Sequence, residues 1–388
     1  MMEKFLVTKG PYLRSADQKH NTKNIMIDLI IALAPVILFS IYKNVIREFI
    51  KRGETGASIY QCLYPLILLI LAPLFSLLCE LLCLLIMHKD KIKNFKDLWA
   101  LEMTEFGIFP GLFIVMISPS YTPIWVMLVS VAVGEVVGKM LFGGFGQNIF
   151  NPAIIGRAFM AFTFADQISG AYMTPYEMMS IQFPDAIASA TPLQYYASIE
   201  DIANITSINV FERFGGFTLF FLGTIPGALA ETSTLCILIG AIYLSVKKVI
   251  DWRIPVVYVG VVFITTMFIG FRLHQGLWYP LYQILSGGLM FGAVFRATEP
   301  VTSPKTPLAR IIYSVFLGLL TVLFRLVGSM PEGVATAIVT MNIFGLAINQ
   351  WALRVRIDGH LTKKSVSGVI IMSVIASLLF VYVLIFAL

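Results

Sequence analysis

The chain has 388 residues, 58% of them hydrophobic and 13% charged, with a mean hydropathy of +0.84. Soluble globular chains carry about 25% charged residues, so a water-soluble fold is excluded and one polytopic, all-α membrane domain over residues 1–388 is expected. The formal net charge of +6 belongs to cytoplasmic loops in such a protein, and no nucleic-acid partner is expected.

Residues 1–23 are polar and basic and lack the pattern of a cleavable signal peptide. Apolar runs follow at 24–43, 57–87, 97–117, 121–142, 152–168, 216–246, 254–273, 279–297, 307–328, 333–353 and 366–388. Each approaches the roughly 20 residues that cross a bilayer. If the runs alternate in direction, five basic sets fall on one side: Lys4 to Lys23, Lys89 to Lys96, Lys247 to Arg253, Arg296 to Arg310, and Arg354 to Lys364. That side is read as cytoplasmic, with the N-terminus on it. Lys43, Arg47, Lys51 and Arg52 fall on the opposite side and are read as an interfacial helix. Cys62, Cys79, Cys83 and Cys236 lie in or beside apolar runs without metal-ligand spacing, so they read as small packing residues.

The one long connection, 169–214, is acidic and lies outside in this topology. It separates spans over 24–168 from spans over 215–353 and leaves 366–388 as an extra C-terminal span. Five spans on each side give halves of inverted topology. The expected fold is therefore a ten-helix inverted-repeat bundle with reentrant or broken helices, plus one helix.

Four motifs stand out. The outer loop holds Pro184-Asp185-Ala186-Ile187-Ala188-Ser189-Ala190-Thr191-Pro192-Leu193, where Pro192 keeps Thr191 extended and its hydroxyl is open to esterification by a phosphate. Gly143-Gly144-Phe145-Gly146-Gln147-Asn148-Ile149-Phe150-Asn151-Pro152-Ala153 lacks the third glycine and βαβ setting of a dinucleotide fingerprint. It reads instead as a reentrant or broken segment, since freed backbone inside a membrane must line a cavity or be buried in protein. Gly223–Gly227 followed by Glu231-Thr232-Ser233, and Ala297-Thr298-Glu299-Pro300, are the counterparts in the second half.

Charges inside spans are functional candidates by default: Asp28, Glu102, Glu105, Glu135, Lys139, Glu231 and Arg325. Glu135 and Lys139 share a helix face at i,i+4 and read as a structural ion pair. Glu102 and Glu105 read as an entry ring or as interfacial groups. Glu231 reads as a carboxylate facing a central cavity. Asp28, Glu102, Glu105 and Glu231 are the ion-pathway candidates. No metal site and no catalytic side chain are assigned.

Together these four motifs resemble the NqrB/RnfD family. Its members are membrane subunits of the Rnf ion-translocating electron transport complex and of the sodium-pumping NADH:quinone reductase, and the likeness is greater to the Rnf member. The resemblance spans about residues 10–356. It implies FMN joined to Thr191 by a phosphoester, placed there by a separate flavin transferase, and a second, non-covalent flavin, riboflavin. Asp185, Ser189, Arg157, Asn148 and Asn151 are the further cofactor-binding candidates. Arg157, placed near the cytoplasmic end of its span, either balances a phosphate or a reduced flavin anion or pairs with an acid.

The implied activity is that of one subunit of an ion-translocating oxidoreductase, incomplete alone, in a bacterial inner membrane with the FMN loop outside. The implied partners are iron–sulfur membrane subunits, a second FMN subunit and soluble ferredoxin- and NAD-handling subunits, with Na⁺ or H⁺ as the coupled ion. The alternatives are the quinone-reductase member of the family and a non-redox channel of the urea or ammonium type. Two departures from the family pattern are Glu299, where the pattern has Asp, and the run 366–388.

Overall fold

The computed structural model describes residues 22–90, 92–180, 191–197, 214, 216–272, 274–326 and 333–357. Asp185, Ser189, the N-terminal basic tail and the eleventh apolar run lie outside them. The described residues are helical, with one isolated antiparallel bridge, Pro119 to Ala228, and no strand. This is the expected all-α membrane architecture.

Among the described residues six helices are long and apolar enough to cross a bilayer, and one further pair, bent by 46°, is a broken span or a reentrant loop. In chain order the main elements are α1 (Thr22–Ile41), α2 (Ile59–Met87), α3 (Phe95–Glu105), α4 (Ile108–Met116), α5 (Ile124–Ala132) and α6 (Pro152–Thr163). The second half has α7 (Phe217–Leu222), α8 (Thr234–Val246), α9 (Arg253–Arg272), α10 (Trp278–Leu285), α11 (Leu289–Phe291), α12 (Pro307–Leu326) and α13 (Val334–Ile357).

Local chemistry sets several ends. Ser58 and Gln61 form a reciprocal capping box that starts α2. Its 29 residues reach about 43 Å, more than the hydrocarbon core requires. The Asn151 side chain accepts from the amides of Ala153 and Ile154 at 3.1 and 3.2 Å, and Pro152 fills the first turn of α6. Close helix approach falls at glycines. A Cβ on Gly111 would meet the Ala72 carbonyl of α2 at 2.4 Å, and one on Gly240 the Ala32 carbonyl of α1 at 2.6 Å. Small residues let membrane helices pack this tightly.

Among the described residues four apolar runs are interrupted, the fifth run at Phe164 between Pro152–Thr163 and Ala165–Ser169. The third breaks between α3 and α4, where Phe106 takes a left-handed conformation (φ 59°) ahead of Gly107. The sixth breaks between α7 and α8 over Gly223–Ser233, and the eighth between α10 and α11 at Ser286–Gly288. The 143–151 stretch, expected as a reentrant or broken segment, is non-helical and turn-rich, with positive φ at Gly143, Gly144 and Gly146, and its Phe145, Asn148 and Asn151 line a cavity. Lys43 to Arg52 is also not a separate interfacial helix at its start. A π-helical turn, Tyr42–Ile46, carries α1 on to Ile50.

The two halves use one packing pattern. α2 packs on α4 and α5 as α9 packs on α10 and α12, and α5 packs on α6 as α12 packs on α13. The halves meet where α1 contacts α8 and α6 contacts α13. These contacts join the first apolar run to the sixth and the fifth to the tenth, which are equivalent positions in the two repeats.

Candidate functional site: broken helices, buried charges and two cavities

Non-helical backbone in a membrane needs partners from the protein, and here the two halves supply them to each other. The Gly223–Ser233 segment runs beside the end of α4: Leu229 N donates to Ser118 O at 2.8 Å and Ala230 N to Met116 O at 2.9 Å. Side chains at the end of the first span satisfy further carbonyls of the segment. Ser40 Oγ and Asn44 Nδ2 donate to Leu229 O at 2.7 and 2.9 Å, and Lys43 Nζ donates to Ile225 O. Arg157 Nε donates to Ile117 O and its Nη2 to the Tyr172 hydroxyl, both at 2.9 Å. Arg157 thus reaches the C-terminal end of α4 and the start of the long connection, where the last carbonyls of α4 are open.

The same region holds part of the basic cluster that falls on the opposite side in the expected topology. Glu177, in the helix Pro175–Ser180, receives Arg47 at 3.0 Å and lies 3.5 Å from Lys43. Burial alone would raise the Glu177 carboxyl, but Lys43 and Arg47 beside it hold it below the ordinary carboxylate value. Lys43 and Arg47 are thus paired with an acid of the long connection.

A second charged cluster lies beside the break in the third run. Lys139 pairs with Glu80 and, at 3.0 Å, with Glu135; Ser76 Oγ donates to Glu135 at 2.8 Å. Glu102 Oε1 accepts from Gly107 N at 3.0 Å, and a Cβ on Gly107 would lie 1.9 Å from a Glu80 oxygen and 2.9 Å from Glu102. Two carboxylates therefore hold one ammonium, with Glu102 close to Glu80 at the break, and all four groups are buried. The Glu135–Lys139 pair was legible in the sequence. Glu80 was not singled out, although a lone acid in the 29 residues of α2 was its signal.

The other candidates separate. Glu105 accepts from Phe145 N and fastens the glycine connection. Asp28 accepts from the Tyr243 hydroxyl at 2.6 Å and lies 3.7 Å from Lys247, so it ties α1 to α8. Asn148 Nδ2 donates to Phe150 O at 2.9 Å. Thr191 begins the helix Pro192–Ala197: its Oγ1 accepts from Gln194 N at 3.3 Å while Gln194 Oε1 accepts from Thr191 N at 2.9 Å. This segment is docked on the break in the eighth run. Tyr282 donates its hydroxyl to Pro192 O, and Leu193 lies 2.6 Å from where a Cβ on Gly287 would be. Arg325 Nη2 stands 3.5 Å from the same point and donates to Ser286 O at 3.4 Å. Among the described residues Arg325, which also donates to Gln283 O, is a cation at the break on which the threonine segment rests.

Two cavities lie among these elements. One of about 90 Å³ has the rings of Phe106, Phe109, Phe113 and Phe145 in its wall, with Asn148, Asn151, Thr298 and Glu299 as polar edges. A smaller one of about 30 Å³ is lined by Arg157, Glu231, Gly288 and Val334, among others. Glu231 thus lines an interior cavity and packs on Gly288 at the break, where a Cβ would lie 2.3 Å from its carboxylate. Arg296 lines both cavities. Among the described residues no group of acids, histidines and cysteines has the geometry of a metal site, and all four cysteines are free.

Broken spans, interior cavities and charges held away from lipid define an integral membrane protein of the transporting class. The family model described as NQR2, RnfD, RnfE matches residues 6–357, and the chain belongs to that family. It is 31% identical over 344 residues to the D subunit of the proton-translocating ferredoxin:NAD(+) oxidoreductase complex of Clostridium ljungdahlii, covering 87% of this chain and 91% of that protein. It is 29% identical to the D subunit of the Na(+)-translocating ferredoxin:NAD(+) oxidoreductase complex of Acetobacterium woodii, over 87% and 90% of the two chains. Identity to the B subunit of the Na(+)-translocating NADH-quinone reductase of Chromohalobacter salexigens is 33%, over 68% of this chain and 62% of that protein. The chain is thus a subunit of an ion-translocating redox complex and works with other subunits. The run 366–388 lies beyond the matched residues.

Proposed function

We propose that this chain is the membrane flavoprotein subunit of an Rnf-type ferredoxin:NAD complex, relaying electrons through FMN esterified to Thr191 and coupling the transfer to Na⁺ or H⁺ movement. The observation that carries the reading is the docking of Thr191-Pro192-Leu193 onto the broken eighth segment. That docking holds the threonine segment beside Arg325 and the interior cavities. When bound, FMN supplies one- and two-electron transfer. The chain's own residues supply the rest: Thr191 Oγ1 carries the ester, and Arg325 offers positive charge toward it.

Riboflavin is proposed as the second flavin, without a site among the described residues: the ring-walled cavity, at about 90 Å³, is too small to hold it. Glu231, on the smaller cavity, is the carboxylate assigned to the ion path. The iron–sulfur, second FMN and soluble ferredoxin/NAD subunits are the proposed partners in a bacterial inner membrane, with the Thr191 loop outside.

The corresponding subunit of the quinone reductase is the second reading, supported by 33% identity. The Rnf reading is preferred because the match to the ferredoxin:NAD relatives runs over about nine-tenths of their length. The test is flavin fluorescence of the denatured subunit on a gel, from cells that hold the flavin transferase. Wild type is expected to glow and Thr191→Val to be dark while still inserted. A dark wild-type band removes the covalent assignment.

A further inference from the structure

By chain position, Arg296 belongs with the loop charges that orient the protein. Instead it ends a π-helical turn, Gly292–Arg296, and is 3% exposed. Its guanidinium lies 3.6 Å over the Phe113 ring and 5.8 Å from the centre of Phe291, so it sits between α4 and α11. Its Nε and Nη2 have no hydrogen-bond acceptor among the described residues. A guanidinium buried with donors unspent is costly, and the two ring faces offset only part of that cost. Its position gives the charge a use, because Arg296 contributes to the walls of both interior cavities. Glu299 lines one cavity and Glu231 the other, so a counter-charge is available on each side.

We propose that Arg296 is the closed gate of a cation path through this subunit. It is a tethered cation held in the partition between the two cavities, and it excludes a mobile cation until it is drawn aside toward one of the flanking carboxylates. A positive charge fixed in a narrow, low-dielectric passage is an effective barrier to a second one. The inference rests on the reading that a cation crosses this subunit, and it is independent of which flavin is bound.

The test uses the complete complex in proteoliposomes without electron donor, under an imposed diffusion potential. Radiolabelled sodium uptake and an internal pH dye report passive entry of each ion. Arg296→Met, which keeps length and removes charge, is expected to raise passive entry of one ion at least about tenfold, whereas Arg296→Lys stays as tight as wild type. Arg296→Gln carries the same expectation where the methionine variant fails to assemble. Neutral variants as tight as wild type overturn the gate, and if the wild type still transports during turnover, the proposed role of the subunit stands. A wild-type complex that transports neither ion during turnover removes both.

Discussion

Lys139 is the one cation paired with Glu80 and Glu135 among the described residues, so its removal is the sharpest perturbation of the buried network. The Nζ lies 3.0 Å from Glu135 and also contacts Glu80, with 2% of its side chain exposed. A unit pair at that distance is worth about 5 kcal/mol at an effective dielectric of about 20. Lys139→Met fills the same space without the charge and leaves the carboxylates facing each other in a dry interior. Breaking a buried pair in this way costs about 3–5 kcal/mol. The assay is equilibrium unfolding of the purified subunit in mixed micelles, with Glu80→Gln and the double variant completing a cycle. The double variant is expected to recover about 1–3 kcal/mol relative to the sum of the singles. A loss below about 1 kcal/mol for Lys139→Met, the worth of an exposed pair, together with additive singles, would refute the description of the cluster.

Two further outcomes are expected. Gly107→Ala puts a Cβ 1.9 Å from the Glu80 carboxylate, so that side chain must swing away and give up its contact with Lys139. The expected loss is about 1–3 kcal/mol, read in the same unfolding assay. Glu177→Gln releases Lys43 and Arg47 from their counter-charge, and increased proteolysis of the 169–214 connection is expected. Because the folded carboxyl is held below its ordinary value, its contribution is present above the unfolded pKa and is lost as pH falls through the folded one. The wild type should therefore lose stability on acidification, and the glutamine variant should lose less over the same range.

Much of the architecture is legible in the sequence because a bilayer leaves few options. Apolar runs of sufficient length mark the spans, and a long polar connection divides them into halves. Glu231 was legible because an acid beside glycines in an apolar run has few places to go other than a cavity. The breaks were only partly legible. Glycine marks both a turn such as Gly143–Gly146 and a broken span such as Gly223–Gly227, and only the packing of the other half distinguishes them. Glu80, Lys43 and Arg296 were missed or misread because their partners lie far away in the chain. Glu80 of α2 meets Lys139, Lys43 meets Glu177 of the long connection, and Arg296 stacks on Phe113 of the opposite half. Local spacing carries no trace of such pairs. Thr191 was singled out by its motif, but the docking surface formed by Tyr282 and Gly287 appears only in three dimensions.

The redox role stands or falls with a flavin bonded to Thr191, and intact-mass analysis of the subunit taken from cells that contain the flavin transferase reads that bond without intermediary. The wild-type mass is expected to exceed that of the bare polypeptide by one FMN less one water, with Thr191→Val returning to the bare mass. A wild-type subunit at the unmodified mass, or an adduct that survives the valine substitution, would be incompatible with the ester at this hydroxyl.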